Sequence, residues 1–300
     1  MSLALLVTGA GGQLGTDLLD RVRHERNAFA RGLTRKDLEL TDPFAIKDLI
    51  ALWARLLRAD DPGHELVVVN TAAYTAVDAA EGDEDTAYAV NATAPALLAQ
   101  ACAVVGARLV HLSTDYVFGG DRVGGPPYEV TDRTAPRTAY GRTKLAGELA
   151  VRELHPDGGY VVRTSWLYGR AGQNFVATMA RLEREQETVS VVEDQRGSPT
   201  SSRDLAAGLL SLVRSGAPAG TYHCTNGGDT TWHGFARAVF TGLGADPDRV
   251  LPTRTDTAPR PAPRPAYSVL SPASWQSAGL APLPQWSAAL ASYLASEPAG

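Results

Sequence analysis

The chain is poor in cysteine, methionine and lysine, and it has no long apolar run. Its 300 residues include two cysteines, Cys102 and Cys224. Two are too few for a disulfide framework or a four-ligand zinc site, and the expectation is a reduced, cytoplasmic protein. No uninterrupted apolar stretch approaches the roughly 18–20 residues of a membrane span. The longest, LALLV and LVVVN, have the length of strands. The first of them runs directly into a Gly-rich turn, without the charged region and cleavage site of a signal peptide. No membrane partner is expected. The net charge is −5 and the basic residues are scattered, which argues against a nucleic-acid partner. Only Lys36, Lys47 and Lys144 are lysines among 28 basic residues, so a lysine inside a motif is seldom accidental. What remains, 44% apolar and 20% charged, is an ordinary globular composition with enough chain to bury a large core.

Strand-like and helix-like stretches alternate through the first half. Strands are expected at 3–8, 28–33, 66–70, 108–113 and 160–164. Helices are expected after the first Gly-rich turn, from Asp42 and Pro43 (N-cap and first helical residue) to about 57, at 87–105 and at 136–154. This is the βαβ rhythm of a parallel sheet with right-handed crossovers. After Thr164 turns become denser, although 202–213 reads as a helix and 221–225 as a strand able to return to the sheet. The fold class expected is α/β, a Rossmann-type doubly wound parallel sheet with a smaller interleaved α/β substrate domain. The division expected is 1–165 for the nucleotide-binding domain, with return segments near 202–226, and 166–300 for the substrate domain. Residues 258–265 hold four prolines and read as an ordered loop of the second domain rather than as a polyproline ligand.

Three patterns carry chemistry. In Thr8-Gly9-Ala10-Gly11-Gly12-Gln13-Leu14-Gly15 the glycines at 9, 12 and 15 follow the first strand and open the first helix. The first permits the tight turn, the second admits a pyrophosphate to the backbone, and the third lets helix and sheet approach. Helix N-terminal amides then hold the phosphates. The second strand ends Leu33-Thr34-Arg35-Lys36, where NAD binders place an acid. Arg35 instead suits a 2′-phosphate, so NADPH is expected, with NADH the alternative.

In Tyr140-Gly141-Arg142-Thr143-Lys144 the i,i+4 spacing puts phenol and ammonium on one helix face. An ammonium there lowers the phenol pKa toward the range useful for acid–base work. In Ser113-Thr114-Asp115-Tyr116 hydroxyls stand at the carboxyl end of a parallel strand, where such sheets bind ligands. Thr114 is expected to donate to a substrate carbonyl while Tyr140 supplies the proton, and Asp115 to hold substrate hydroxyls.

Together with Asn70-Thr71-Ala72-Ala73, Val117-Phe118, Arg163-Thr164-Ser165-Trp166 and Asp194-Gln195-Arg196-Gly197-Ser198-Pro199-Thr200, these motifs resemble the extended short-chain dehydrogenase/reductases, and among them the dTDP-4-dehydrorhamnose reductase family. The resemblance covers nearly the whole chain. It implies reduction, at NADPH's expense, of the C4 ketone of a dTDP-linked 4-keto-6-deoxyhexose. It implies Tyr140 as proton donor, Lys144 as electrostatic partner and ribose anchor, Thr114 and Asp115 as sugar contacts, and Trp166 as a wall for the hexose. On the cofactor side it implies Gly12, Gln13 and Leu14 at the pyrophosphate, Glu39 and Leu40 toward the adenine, and Ala72, Ala73 and Tyr74 along the strand end. Some members form a homodimer holding Mg²⁺ through carboxylates. Asp17 keeps one such position, but Arg203 stands where another carboxylate belongs, so no metal is expected. Sugar-nucleotide dehydratases follow the threonine with an Asp-Glu pair; here Asp115 precedes Tyr116, which tells against dehydration. A non-catalytic regulatory subunit would have no chemical need for Tyr140, Lys144 and Thr114 together.

Overall fold

Strand β1 (Leu3–Thr8) is buried along its whole length, the condition of a central strand covered on both faces. It pairs in parallel with β2 (Ala28–Leu33) on one side and β3 (Glu65–Asn70) on the other. Beyond β3 follow β4 (Arg108–Thr114), β5 (Gly159–Thr164) and finally Gly220–His223, again all parallel. The order across the sheet is therefore Gly220–His223, β5, β4, β3, β1, β2. The strand order reverses between β1 and β3, which places a ligand crevice at their carboxyl ends. The computed structural model describes residues 2–257 and 259–296. Met1, Ala258 at the head of the proline-rich run, and the last four residues of the 166–300 segment lie outside the described residues.

Two apolar layers enclose the sheet. One packs α1 (Gln13–Arg23) and the Ser202–Arg214 helix over Leu5, Val7, Val67 and Val162. The other packs α2 (Pro43–Asp60) and Leu98, Ala99 and Cys102 over Leu6, Val68 and Leu109. Helix α2 starts where expected, because the Asp42 carboxylate accepts from the amides of Phe44 and Ala45 and Pro43 needs no hydrogen-bond acceptor. A third core, formed by Tyr168, Val176, Phe235, Phe240 and Leu290 among others, belongs wholly to the second half.

Three sequence expectations need correction. The 136–154 helix begins at Ala139, because the Thr138 hydroxyl caps it by accepting from Gly141 N. The 87–105 helix begins at Glu84 and contains a π-helical turn, Ala89–Thr93. Pro95 is the cause: it has no amide to offer the Asn91 carbonyl, so the ladder widens by one residue just before it. The whole element, Glu84–Val105, is 22 residues long, reaches a mean hydropathy of 1.4 over its most apolar 18-residue window, and is long and apolar enough to cross a membrane. Counting uninterrupted runs overlooked it, since Asn91, Thr93 and Gln100 divide the sequence. Here it lies against α2 and the Ala139–Leu154 helix.

The proline-rich run is ordered by the first half. Asp78 accepts from Ala262 N at 3.2 Å and from Arg264 Nη2 at 2.6 Å. Burial raises the Asp78 carboxyl, but Arg264 and the Ala262 amide bring it below its ordinary value.

Candidate active site

At the carboxyl ends of the strands lies a cavity of 690 Å³, the size of a small-molecule or cofactor site. The phosphate-loop residues Gly9, Gly12, Gln13 and Leu14 form one wall. Gly9 has φ +70°, and a Cβ there would stand 2.6 Å from Ala72 N. Helix α1 opens at Gly12 with no side chain capping it, leaving its first amides to a ligand. Gly15 is not on the cavity wall. A Cβ at that position would meet the Gly9 carbonyl at 2.4 Å, so this glycine admits the helix to the turn. A pyrophosphate fits this cradle of bare backbone.

Arg35, Glu39 and Leu40 line the end of the cavity beside β2, and Ala72 and Ala73 its floor. Tyr74 is turned away. Its backbone amide and carbonyl are both held by the Asn91 side chain, and its ring packs against Ala80, Ala87 and Ala139.

Thr114, Asp115, Tyr140, Lys144 and Trp166 meet on the opposite wall. The Thr114 hydroxyl donates to Asp115 Oδ1 at 3.0 Å and accepts from Tyr116 N at 3.2 Å. Its proton is thus directed at a neighbour and not at the cavity. Asp115 is 2% exposed, and burial pushes its carboxyl up to about 6 against the opposing influence of the Ser268 and Thr114 hydroxyls.

Tyr140 departs from expectation. Burial raises its phenol to about 12, with the Thr114 hydroxyl opposing and the Asp115 carboxylate adding. Lys144 is not among the groups acting on it. That ammonium donates instead to the Leu112 carbonyl at 2.6 Å. Its own pKa falls to about 8, chiefly through burial, against the pull of Glu148. The spacing found the pair, but burial, and not the lysine, sets the direction in which the phenol shifts.

Sequence reasoning missed Trp232, which also lines the cavity. Its ring stacks on Trp166 with centroids 3.6 Å apart and planes 6° apart. Trp166 is held at φ +46°, an outlier for so bulky a side chain. Phe175 supports the stack from 4.5 Å. No local motif announces Trp232; only the fold brings it to Trp166.

Asp17 lies outside the cavity. Burial raises its carboxyl, opposed by the Ser202 hydroxyl that donates to it and by the charges of Arg203 and Arg170. Among the described residues no three His, Cys, Asp or Glu side chains are grouped to hold a metal.

A protein-family profile described as RmlD substrate binding domain matches residues 3–298. The dTDP-4-dehydrorhamnose reductase of Streptomyces griseus is 51% identical over 292 residues, which cover 95% of this chain and 91% of that protein. The dTDP-4-keto-6-deoxy-D-glucose reductase of Streptomyces niveus is 45% identical, over 95% of this chain and 94% of its own. Among solved structures, dTDP-4-dehydrorhamnose reductase from Bacillus anthracis in complex with NADP superposes with a TM-score of 0.90 at 36% identity, covering 99% of this chain and all of that one.

Proposed function

The chain belongs to the RmlD substrate binding domain family and is an oxidoreductase of the dTDP-4-dehydrorhamnose reductase type; on that premise we propose that it reduces the C4 ketone of dTDP-4-dehydro-6-deoxy-L-hexose to dTDP-L-rhamnose or a related dTDP-deoxysugar. The observation that carries the proposal is the convergence of Thr114, Tyr140 and Lys144 with the phosphate loop on one cavity. NADPH, when bound, supplies the hydride.

The chain's own residues do the rest. Gly9, Gly12, Gln13 and Leu14 hold the pyrophosphate, with Gly15 setting the helix against the turn. Glu39 and Leu40 take the adenine side, and Ala72 and Ala73 the floor below. Tyr74 acts only through its packing. Tyr140, protonated because it is buried, gives its proton to the alkoxide oxygen. Thr114 and Asp115 position the sugar, the hydroxyl turning from Asp115 to the substrate. Trp166, extended by Trp232, walls the hexose. The division into a cofactor part, 1–165 with returns near 202–226, and a substrate part, 166–300, belongs to the same proposal. So do a cytoplasmic location and a homodimer, which sedimentation would exclude by showing a monomer at working concentration.

The test is turnover of dTDP-4-keto-6-deoxy-L-lyxo-hexulose with the C4 configuration of the product read by NMR. No turnover of that compound, or of its D-xylo isomer, overturns the reading. Turnover of the D-xylo isomer alone assigns the chain to the chemistry that the Streptomyces niveus relative's name describes.

The cofactor preference rests on Arg35. Arg35→Ala is expected to weaken NADPH by about ten- to hundredfold, the worth of a charge-assisted contact, and to leave NADH almost unchanged. Equal losses for both cofactors in a fluorescence titration would remove Arg35 from the 2′-phosphate. Activity is expected to need no divalent ion, since Arg203 and Arg170 already oppose the charge of Asp17. Loss of turnover in EDTA that Mg²⁺ restores would sink this.

A further inference from the structure

Lys144 is buried in a hydrogen-bond chain whose direction is fixed from its far end. The Ala72 backbone amide donates to Asn70 Oδ1 at 3.2 Å. A backbone N–H can only donate, so this contact settles which way the Asn70 amide faces. The Thr8 hydroxyl reaches the same oxygen at 2.7 Å. Asn70 Nδ2 is therefore turned to His111 Nδ1, 3.1 Å away, and Nδ1 must accept. A neutral imidazole that accepts at Nδ1 carries its proton on Nε2. His111 is fully buried, and burial followed by the charge of Lys144 holds its pKa well below the ordinary histidine value. Its Nε2 stands 3.5 Å from Lys144 Nζ.

The lysine thus faces an N–H where an ammonium would want a lone pair. The neutral amine satisfies both neighbours, accepting from His111 and donating to the Leu112 carbonyl. The ammonium leaves the His111 N–H pointing at a cation, and turning the imidazole tautomer would set Nδ1–H against the Asn70 NH₂. The other charged or titratable groups around Lys144 are Glu148, one turn on and ion-paired to Arg163 of β5, and Tyr140, one turn back. Glu148 favours the ammonium.

We propose that His111, locked in one tautomer by Asn70, is a positioning residue that lowers the proton affinity of Lys144. The proposal deepens the reductase reading, which supplies the role of Lys144 beside Tyr140. Its consequence is that the lysine changes charge within the working pH range and not far above it.

The test uses the whole chain without cofactor, labelled with [¹⁵N]lysine. Only three Nζ signals exist, and Lys144→Met identifies the one of interest by its loss. Lys36 and Lys47, both exposed, serve as internal references. The wild-type Lys144 midpoint is expected near 8. His111→Leu removes the N–H, and Asn70→Leu frees the tautomer so that Nε2 can accept. Each is expected to raise the midpoint by about one unit, a tenfold gain in proton affinity. His111→Gln, whose amide still offers an N–H at the Nε2 position, is expected to stay within about 0.3 unit of wild type. A merely structural histidine would not separate the leucine from the glutamine variant. Unmoved midpoints in the folded leucine variants, or a rise in His111→Gln as large as in His111→Leu, overturn the proposal. Asn70→Leu decides alone if His111→Leu does not fold. Because the signal is read on free protein, failure here is distinguishable from failure of the reductase reading, which shows in turnover alone.

Discussion

Replacing Tyr140 by Phe is expected to lower turnover by roughly 10²–10⁴, the usual worth of a positioned acid, while NADPH affinity changes little. The substitution keeps the ring, its edge-on contact with Tyr116 at 5.6 Å and the helix that carries it. It removes one hydroxyl. With the phenol raised to about 12 by burial, the wild-type group keeps its proton across the neutral range, so loss of activity on alkaline titration is not expected to begin at Tyr140. Thr114→Val should also cost turnover with cofactor binding intact, since its hydroxyl meets Asp115 and the cavity but not the phosphate loop. Lys144→Met should lose cofactor affinity as well, if the lysine anchors the ribose. NADPH fluorescence and the decay of its absorbance separate these outcomes. A Tyr140→Phe protein that reduces the keto-sugar at near wild-type rate takes the phenol out of the reaction.

The residues legible in the sequence were those whose job is local. Glycines at 9, 12 and 15 serve one turn and one helix start directly after β1, and Tyr140 and Lys144 share one helix face, so spacing read together with position makes them legible. Arg35 is legible from its place at the end of β2, whereas Glu39 and Leu40 come from the family resemblance; all three line the cavity. What escaped was of two kinds. Trp232 lies 66 residues beyond Trp166, and nothing between them in the chain indicates that their rings stack. His111 stands two residues before Ser113 in β4, but its meaning depends on Asn70 and Lys144, which lie on other elements in opposite directions along the chain. The π-helical turn had a visible cause in Pro95, yet apolar periodicity ran smoothly through it and concealed the break.

Arg163→Met is expected to destabilise the protein by about 3–5 kcal/mol, the cost of leaving a buried charge without its partner. Arg163 and Glu148 are 5% and 2% exposed at their side chains. The guanidinium makes a bidentate pair with the carboxylate, at 2.9 Å through Nε and 2.7 Å through Nη2. Its remaining faces are also occupied. Cζ lies 5.0 Å from the centre of the Phe118 ring, and Nη1 is 3.5 Å from His223 Nε2. His223 Nδ1 faces the Ser271 carbonyl at 3.2 Å and must donate to it, which leaves Nε2 free to accept from Arg163. Burial first, and the arginine second, hold that imidazole neutral with a pKa of about 3. The pair ties the helix bearing Tyr140, Lys144 and Glu148 to β5, whose end leads into Trp166. Methionine fills much of the volume but leaves Glu148 buried and unpaired. Adding Glu148→Leu should therefore recover most of the loss, because two apolar side chains need no compensation. Urea unfolding of wild type, Arg163→Met and the double variant measures both steps. A single variant that loses less than about 1 kcal/mol would put the pair with exposed ion pairs, and a double variant no better than the single would mean that packing against Phe118, and not the stranded carboxylate, sets the cost.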